Sequence, residues 1–147
     1  MARVVLDWDL GPRNPGPLMD VTIANPRDYI EAMAGVGLEY NQTVTVKALI
    51  DTGAAITVIN RKFAQYCKLF VSNPRSEISS VGHKVECWEH AAAISFPGSS
   101  LRSKDLIKIL STEFVQPRDY VVLIGRDIIR NWRVTVDGPA KQITIEE

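Results

Sequence analysis

The sequence KALIDTGAAITVI, residues 47–59, places one acid between two apolar runs. A carboxylate is rarely buried in such a setting unless it is paired or hydrogen-bonded. Asp51 is followed at once by Thr52 and Gly53, and glycine permits backbone conformations and close approaches that a side chain would forbid. The stretch predicts a strand that runs into a tight turn and presents Asp51 at its tip, either as a reactive group or as a turn acid that bonds its own backbone.

The composition is that of an ordinary globular domain. The chain has 147 residues, of which 46% are hydrophobic and 23% are charged, which suits one domain with a core of its own. Because 17 lysines and arginines balance 17 aspartates and glutamates, no strong field favours nucleic acid or an anionic membrane as a partner. We expect no membrane span and no signal peptide, because the apolar runs are too short for either.

The two cysteines, Cys67 and Cys87, favour reduced thiols over a disulfide and predict a cytoplasmic location. A metal site built from His83, Cys87 and His90 is not expected, because on a strand the third residue would point away from the first two. The chain is predicted to use no cofactor.

Hydrophobic periodicity predicts a mostly β chain with short helices. We interpret residues 1–16 as an arm outside the core, with a possible edge strand at 2–8, and residues 17–147 as the domain. Alternating or continuous apolar residues predict strands over 18–24, 44–50, 54–59, 77–81, 84–94, 106–110, 120–124, 132–136 and 142–145. Helical turns are predicted over 28–34, 60–69 with Asn60 as the N-cap and residues 72–74 closing the segment, and 126–131.

Two stretches together resemble the signatures of retropepsin-like aspartic proteases. Residues 48–54, ALIDTGA, are similar to the active-site signature, and residues 122–127, VLIGRD, are similar to the second signature. A hairpin with Gly82 at its tip lies between them, where the family carries its flap. The resemblance covers residues 43–147 well and 17–42 loosely. It is closer to cellular and bacterial single-domain members than to viral ones, because a long hairpin follows the last helix. It implies an all-β, mainly antiparallel acid-protease fold with one lobe.

The resemblance implies an aspartic endopeptidase that hydrolyses peptide bonds of an extended polypeptide. Pepsin-like members carry two Asp-Thr-Gly or Asp-Ser-Gly loops in one chain, whereas this chain carries one. An active enzyme must then be a homodimer in which two copies of Asp51 face each other. One carboxylate would take a proton from a water held between them, and the protonated one would donate to the scissile carbonyl.

The resemblance also implies supporting roles around the catalytic acid. Thr52 would turn its hydroxyl towards the partner's loop, and Gly53 would let its N–H approach the carboxylate. Ala54 would leave room for the substrate. Gly125 would pack beneath the loop, where only glycine fits.

Arg126 needs acceptors where it enters a buried helix. In viral relatives an aspartate two residues after the glycine often pairs with this arginine. Ala55 holds that position here, so we expect a different pairing and no substrate contact from that acid. Asp127 is predicted to be a helix N-terminal acid and not a second catalytic one.

The substrate is expected to bind as an added strand between the flap and the floor of the site. The residues expected to contact it are Val81, Gly82 and His83 at the flap tip, and Ala55, Ile56 and Ile124 below. Two other functions stay open. One is a non-catalytic module that holds peptides in the same groove, and the other is a latent enzyme switched on by a partner or by loss of residues 1–16.

Overall fold

The structure is a computed structural model that describes residues 1–8, 16–80, 82–114 and 119–147. These residues form ten strands and three short helices. In chain order they are β1 (Arg3–Asp7), β2 (Leu18–Ala24), α1 (Arg27–Ala34), β3 (Val44–Ile50), β4 (Val58–Asn60), α2 (Arg61–Tyr66), β5 (Val71–Ser80), β6 (His83–Ser95), β7 (Lys104–Thr112), β8 (Val122–Ile124), α3 (Arg126–Ile129), β9 (Arg133–Asp137) and β10 (Gln142–Glu146).

The strands form two sheets. The larger has the order β2-β3-β8-β4-β7-β6-β5, with a further pairing between β2 and β6, and the smaller has the order β1-β10-β9. Two neighbouring pairs, β3 with β8 and β4 with β7, run parallel, while the other pairings in the described residues are antiparallel. The predicted architecture, mainly antiparallel β with short helices near residues 60–69 and 126–131, is confirmed.

One hydrophobic core joins the two sheets. Its members include Ile23 of β2, Ile94 of β6 and Ile145 of β10, none more than 1% exposed. A smaller cluster around Val58 and Cys87 lies apart from it. Burying each large aliphatic side chain contributes about 1.5–3 kcal/mol, so the core holds the two parallel strand pairs in place.

The prediction that the N-terminal segment lies outside the core is wrong for residues 1–8. Alternate residues of β1 are apolar, so one face of this strand can be buried. β1 pairs with β10 from Arg3↔Glu146 to Asp7↔Gln142, and Val4 and Leu6 pack against the core. Residues 9–15 lie outside the described residues. Loss of residues 1–16 would strip a strand from the smaller sheet, which weakens the motive for the latent-enzyme hypothesis.

Several predicted elements differ in extent, and two of the differences have a clear physical cause. The strand predicted over 54–59 is regular only from Val58, because the carbonyls of Ala54 and Ala55 accept from the N–H groups of Arg126 and Asp127 at the start of α3. Residues 72–74 do not end a helical segment but lie within β5. Pro74 is tolerated there because β5 is an edge strand, where a missing N–H costs no ladder bond.

Asn60 caps α2 as predicted, since its side chain accepts from Lys62 N at 3.1 Å. Cys67 and Cys87 are buried free thiols, and burial raises the pKa of Cys67 to about 11. The cytoplasmic location stays a prediction. None of the helices in the described ranges combines the length and the apolar character needed to cross a membrane.

Candidate active site

Asp51 lies at the tip of a turn that begins where β3 ends. Its backbone N–H donates to Ile124 O at 3.0 Å, and its carbonyl accepts from Ala54 N at 3.2 Å. The Gly53 N–H donates to Asp51 Oδ1 at 2.9 Å. A Cβ on Gly53 would lie 3.1 Å from that same oxygen, so the glycine allows the close approach expected of it. The carboxylate is thereby oriented while remaining half-buried.

Gly125 supports the far side of this turn. A Cβ at this position would lie 2.7 Å from Ile56 C, 2.9 Å from Ile56 O and 3.0 Å from Ala54 O. All three atoms belong to the backbone and cannot swing away as the end of a side chain could. The glycine is therefore required by close approach beneath residues 54–56, and its φ of −91° needs no special residue.

Arg126 fastens the turn through backbone carbonyls. Its Nη1 donates to Thr52 O at 2.9 Å and to Gly53 O at 3.1 Å, and its backbone N–H donates to Ala54 O at 2.8 Å. With Ala55 two residues after Gly53, carbonyl oxygens serve as the acceptors of Arg126. The exposed guanidinium thus holds the chain on both sides of Gly53.

Thr57 and Asp127 form a buried link that sequence reasoning missed. Thr57 is 0% exposed, and its Oγ1 donates to Asp127 Oδ1 at 2.8 Å while accepting from Gly125 N at 3.1 Å. The Thr57 N–H donates to Asp127 Oδ2 at 3.1 Å, and the Ile128 N–H donates to Asp127 Oδ1 at 3.0 Å. Asp127 is thus the predicted helix N-terminal acid and also an anchor of the turn. The sequence feature that could have indicated this link is Thr57 itself, a hydroxyl residue within the apolar run of residues 54–59.

A cleft of about 540 Å³ opens beside Asp51. The turn and the strands below it supply most of its lining, and β5 of the flap hairpin supplies the rest. The lining residues are Asp51, Gly53, Ala54, Ala55, Ile56, Val58, Ile78, Ser79 and Leu123.

Several predicted substrate contacts are placed elsewhere. Ile124 is 0% exposed and belongs to the core. The prediction that it contacts the substrate is therefore wrong. Its neighbour Leu123 lines the cleft instead. Gly82 and His83 form the exposed end of the hairpin and do not line the cleft. Val81 lies outside the described residues.

The flap is a hairpin of β5 and β6 that closes at the pair Ser80↔His83. Gly82 has φ +79°, the left-handed region that glycine adopts without strain. A turn with a glycine at its tip is therefore present where the sequence predicts it.

The three residues considered for a metal site, His83, Cys87 and His90, all lie on β6 of this hairpin. His83 is exposed, whereas Cys87 and His90 are buried, and the Nε2 of His90 lies 2.7 Å from Ser111 Oγ. Within the described ranges, no three histidine, cysteine, aspartate or glutamate side chains group in a way that could hold a metal ion.

Comparisons with known proteins agree with this geometry. The family model of retroviral aspartyl proteases matches residues 14–137. A retropepsin-like aspartic protease from Rickettsia conorii is similar in structure, with a TM-score of 0.60 and 9% identity over 97% of this chain and 89% of that chain. The EIAV protease complexed with the inhibitor HBY-793 is similar with a TM-score of 0.55 and 21% identity over 86% of this chain and 93% of that chain. No curated protein sequence matches.

At these identities the structural likeness shows the fold alone. It is the one-lobed, mainly antiparallel acid-protease fold that the sequence predicts, with retropepsin-like structures as neighbours. The finer assignment to cellular and bacterial members stays a prediction.

Proposed function

This chain belongs to the retroviral aspartyl protease family, and from that premise we propose that it is an aspartic endopeptidase whose two catalytic carboxylates are the Asp51 side chains of a homodimer. The position of the single Asp-Thr-Gly carries the proposal. It places one half-buried carboxylate at the edge of a cleft, with Thr52 and Gly53 exposed beside it. A second copy related by a two-fold axis would supply the second carboxylate.

The chemistry follows from two carboxylates at close range, which cannot both ionise readily. The ionised one takes a proton from a water held between them, and the water oxygen bonds to the scissile carbonyl carbon. The protonated one donates its proton to the carbonyl oxygen. As the resulting diol collapses and the C–N bond breaks, the carboxylate that is now ionised takes a proton from a diol hydroxyl, and the one that is now protonated gives its proton to the leaving amine. Each Asp51 thus serves once as base and once as acid.

The surrounding contacts support this role for Asp51. The Gly53 N–H holds one carboxylate oxygen at 2.9 Å, and Arg126 fixes the carbonyls of Thr52 and Gly53. A turn braced in this way keeps its acid at a defined position during the reaction, which is how fixed geometry lowers a barrier.

The substrate is proposed to be an extended polypeptide that lies between the turn and β5. Such a segment would form main-chain hydrogen bonds, while its side chains enter pockets in alternation. Ile56, Ile78 and Leu123 line the cleft, so we propose that apolar side chains flank the cleaved bond.

The first test is cleavage of a peptide library by Asp51→Asn. We expect the variant to fold and associate like the wild type and to lose activity at every pH from acidic to neutral. The matched control is Asp105→Asn, since Asp105 is an exposed acid on β7, and it should retain full activity. Cleavage by purified Asp51→Asn at the wild-type rate would contradict the proposal. A wild-type dimer that binds library peptides but cuts none would favour the non-catalytic module.

The second test addresses the homodimer. Sedimentation should show a dimer at the concentrations where cleavage is seen. Adding an excess of Asp51→Asn to the wild type should lower the activity per wild-type chain in proportion to the fraction of mixed pairs. Activity that does not change on mixing would show that each chain works alone and would overturn the two-copy site.

A further inference from the structure

A second pocket of about 450 Å³ lies on the other face of β6. On a strand, neighbouring residues point to opposite faces. Cys87 packs with Val58 beneath the Asp51 cleft, whereas Trp88 and His90 line the second pocket. None of its lining residues lines the cleft. Its volume falls in the range of small-molecule sites.

The walls of this pocket are tied together by one buried side chain. Asn25 is 1% exposed, and its Nδ2 donates to Tyr40 O at 3.3 Å and to Lys68 O at 2.9 Å. Its Oδ1 accepts from Phe70 N at 2.8 Å. Asn25 therefore fixes the positions of Tyr40 and of residues 68–70 relative to each other around the pocket. Lys68 adopts φ +50°, a left-handed conformation that non-glycine residues rarely take.

Four aromatic side chains line the pocket, namely Tyr29, Tyr40, Phe70 and Trp88. Tyr29 stacks on Tyr40 with 5.7 Å between the ring centroids and 19° between the planes, and Phe70 lies 5.1 Å from Tyr29. Trp88 lies across the pocket wall next to His90, with 6.4 Å between the centroids. Such a surface suits a flat aromatic group, because rings prefer offset or edge-to-face contacts at these distances.

The charge around the pocket is positive. Lys68 Nζ lies 5.6 Å from the centroid of Tyr40, and Arg61 Cζ lies 4.4 Å from the centroid of Trp88. No acidic side chain is among the described residues that line the pocket. An anionic group on the ligand would therefore be attracted to Lys68.

His90 offers a buried polar atom in the same wall. It is 2% exposed, and burial lowers the pKa of its ring, so the ring is neutral near pH 7. Backbone hydrogen bonds to Leu69 and Phe70 oppose this lowering of the pKa, while Nε2 meets Ser111 Oγ at 2.7 Å. Nδ1 completes no hydrogen bond of good geometry. The neutral ring therefore adds no charge to the pocket, and Lys68 is the lining group that would attract an anion.

We propose that this pocket binds an aromatic carboxylate, with its ring among Tyr29, Phe70 and Trp88 and its carboxylate facing Lys68. The chemistry fits a free aromatic acid and equally the C-terminal aromatic residue of a polypeptide. The proposal is independent of catalysis by Asp51.

The test uses phenylacetate as the probe and the indole N–H resonance of Trp88 as the readout. We expect a saturable shift of this resonance. The indole of Trp132, which donates to Glu147 at 3.2 Å elsewhere in the fold, should not shift. Phenylacetamide, which lacks the charge, should bind about fivefold more weakly. Absence of a saturable shift at tens of millimolar phenylacetate would overturn the proposal.

Lys68→Asn removes the charge and keeps a residue type that accepts the left-handed conformation. It should weaken phenylacetate binding about fivefold. Lys141→Asn is the matched control, because Lys141 is an exposed lysine with φ +54° in the C-terminal hairpin, and it should bind as the wild type does. Equal binding by the wild type and both variants would overturn the assignment of the carboxylate to Lys68.

A second variant tests the aromatic wall even if Lys68→Asn fails to fold. Phe70 is 42% exposed, so Phe70→Ala should fold and should weaken both probes. Leu106→Ala, at a side chain that is 71% exposed on β7, serves as the control. Unchanged binding by Phe70→Ala would count against the site.

The two sources of the ligand are separated by a short peptide that ends in phenylalanine. Tighter binding of its free-acid form than of phenylacetate, lost in the peptide amide, would assign the pocket to polypeptide C-termini. Equal binding of phenylacetate and the free-acid peptide would assign it to a free aromatic acid.

Discussion

The floor and the roof of the Asp51 cleft are held by different kinds of contact. The floor, residues 51–57 together with 125–127, is fastened by buried and partly buried hydrogen bonds between distant parts of the chain. The roof is the β5–β6 hairpin, whose outer strand β5 is an edge strand, mostly exposed. Its pairing shifts register between Val71 and Ser76. The reaction needs catalytic acids at fixed positions, which the floor provides. A polypeptide must also enter the cleft, and a weakly packed segment such as the roof opens at the lowest cost in free energy.

The largest expected effect is at the floor, in Gly125→Ala. The new Cβ would lie 2.7 Å from Ile56 C, so the turn that carries Asp51 must move. Overpacking against rigid atoms costs about 3 kcal/mol, and the displaced acid should abolish cleavage. Urea unfolding and the peptide-library assay measure the two effects.

Gly138→Ala is the control for that substitution. A Cβ at Gly138 would have nothing within 4 Å, so stability and cleavage should stay close to those of the wild type. Equal behaviour of the two alanine variants would mean that residues 54–56 yield easily and that the floor is not rigid.

Four residues of the floor could be predicted from the sequence because their signals are local, whereas the Thr57–Asp127 link could not, because it joins residues 70 positions apart. Asp51 is an acid in an apolar run, and Gly53 follows it two residues later. Gly125 and Arg126 end another apolar run. Each is a residue type unusual for its place, so each indicates a special backbone or a special partner without knowledge of the fold.

The walls of the cleft could not be predicted in the same way, because they depend on which face of a strand is buried. Residues 120–124 are continuously apolar, so their pattern does not tell whether Leu123 or Ile124 faces the cleft. The side to which Ile78 points depends on the register shifts of β5 against β6. These shifts arise from the pairing of the two strands, and no single residue in the sequence indicates them. The place of β1 likewise depends on β10, more than a hundred residues away along the chain.

A smaller effect at the floor is expected for Thr57→Val, which keeps the shape of the side chain and removes its hydroxyl. Gly125 N–H and Asp127 Oδ1 would each lose a buried partner. Asp127 Oδ1 keeps the Ile128 N–H, but the Gly125 N–H is left unpaired, which costs about 2 kcal/mol. The free energy of unfolding measures it, and Thr135→Val on the exposed strand β9 should change it little. Similar losses in both variants would show that the link carries no special weight.

At the roof, Gly82→Ala should cost less than either change at the floor. The only penalty is the left-handed backbone at φ +79°, since a Cβ would meet nothing within 4 Å, and this strain costs about 1 kcal/mol. Gly37→Ala is the matched control, with φ +80° and equally open space in the loop after α1. Both should lose similar stability. Gly82 does not line the cleft itself, but its hairpin supplies Ile78 and Ser79 to the lining, so only Gly82→Ala should alter KM for peptides. An equal KM in both variants would show that the hairpin tip does not affect substrate binding.

The smallest expected effect is the pH dependence of stability that His90 of β6 contributes within the roof hairpin. Burial lowers the pKa of His90 in the folded state below its ordinary value of 6.5, and the positive charge of Arg61 adds to this, while nearby carbonyls oppose it. Above pH 6.5 both states are neutral, and this residue adds no pH dependence. As the pH falls below 6.5 the unfolded chain takes up the proton first, so stability falls until the folded-state pKa is reached.

The urea-unfolding free energy of the wild type should therefore decline between pH 7 and pH 5 more steeply than that of His90→Gln. His83→Gln, at the exposed hairpin tip, should keep the wild-type slope. Hydrogen exchange should locate the loss in β5 and β6 and leave the amides of residues 51–57 protected, because His90 belongs to β6 and touches none of the bonds that brace the floor. Equal acid-induced hydrogen exchange in the floor and the roof would mean that the two unfold locally as one unit. The floor and the roof would then differ in geometry but not in local stability.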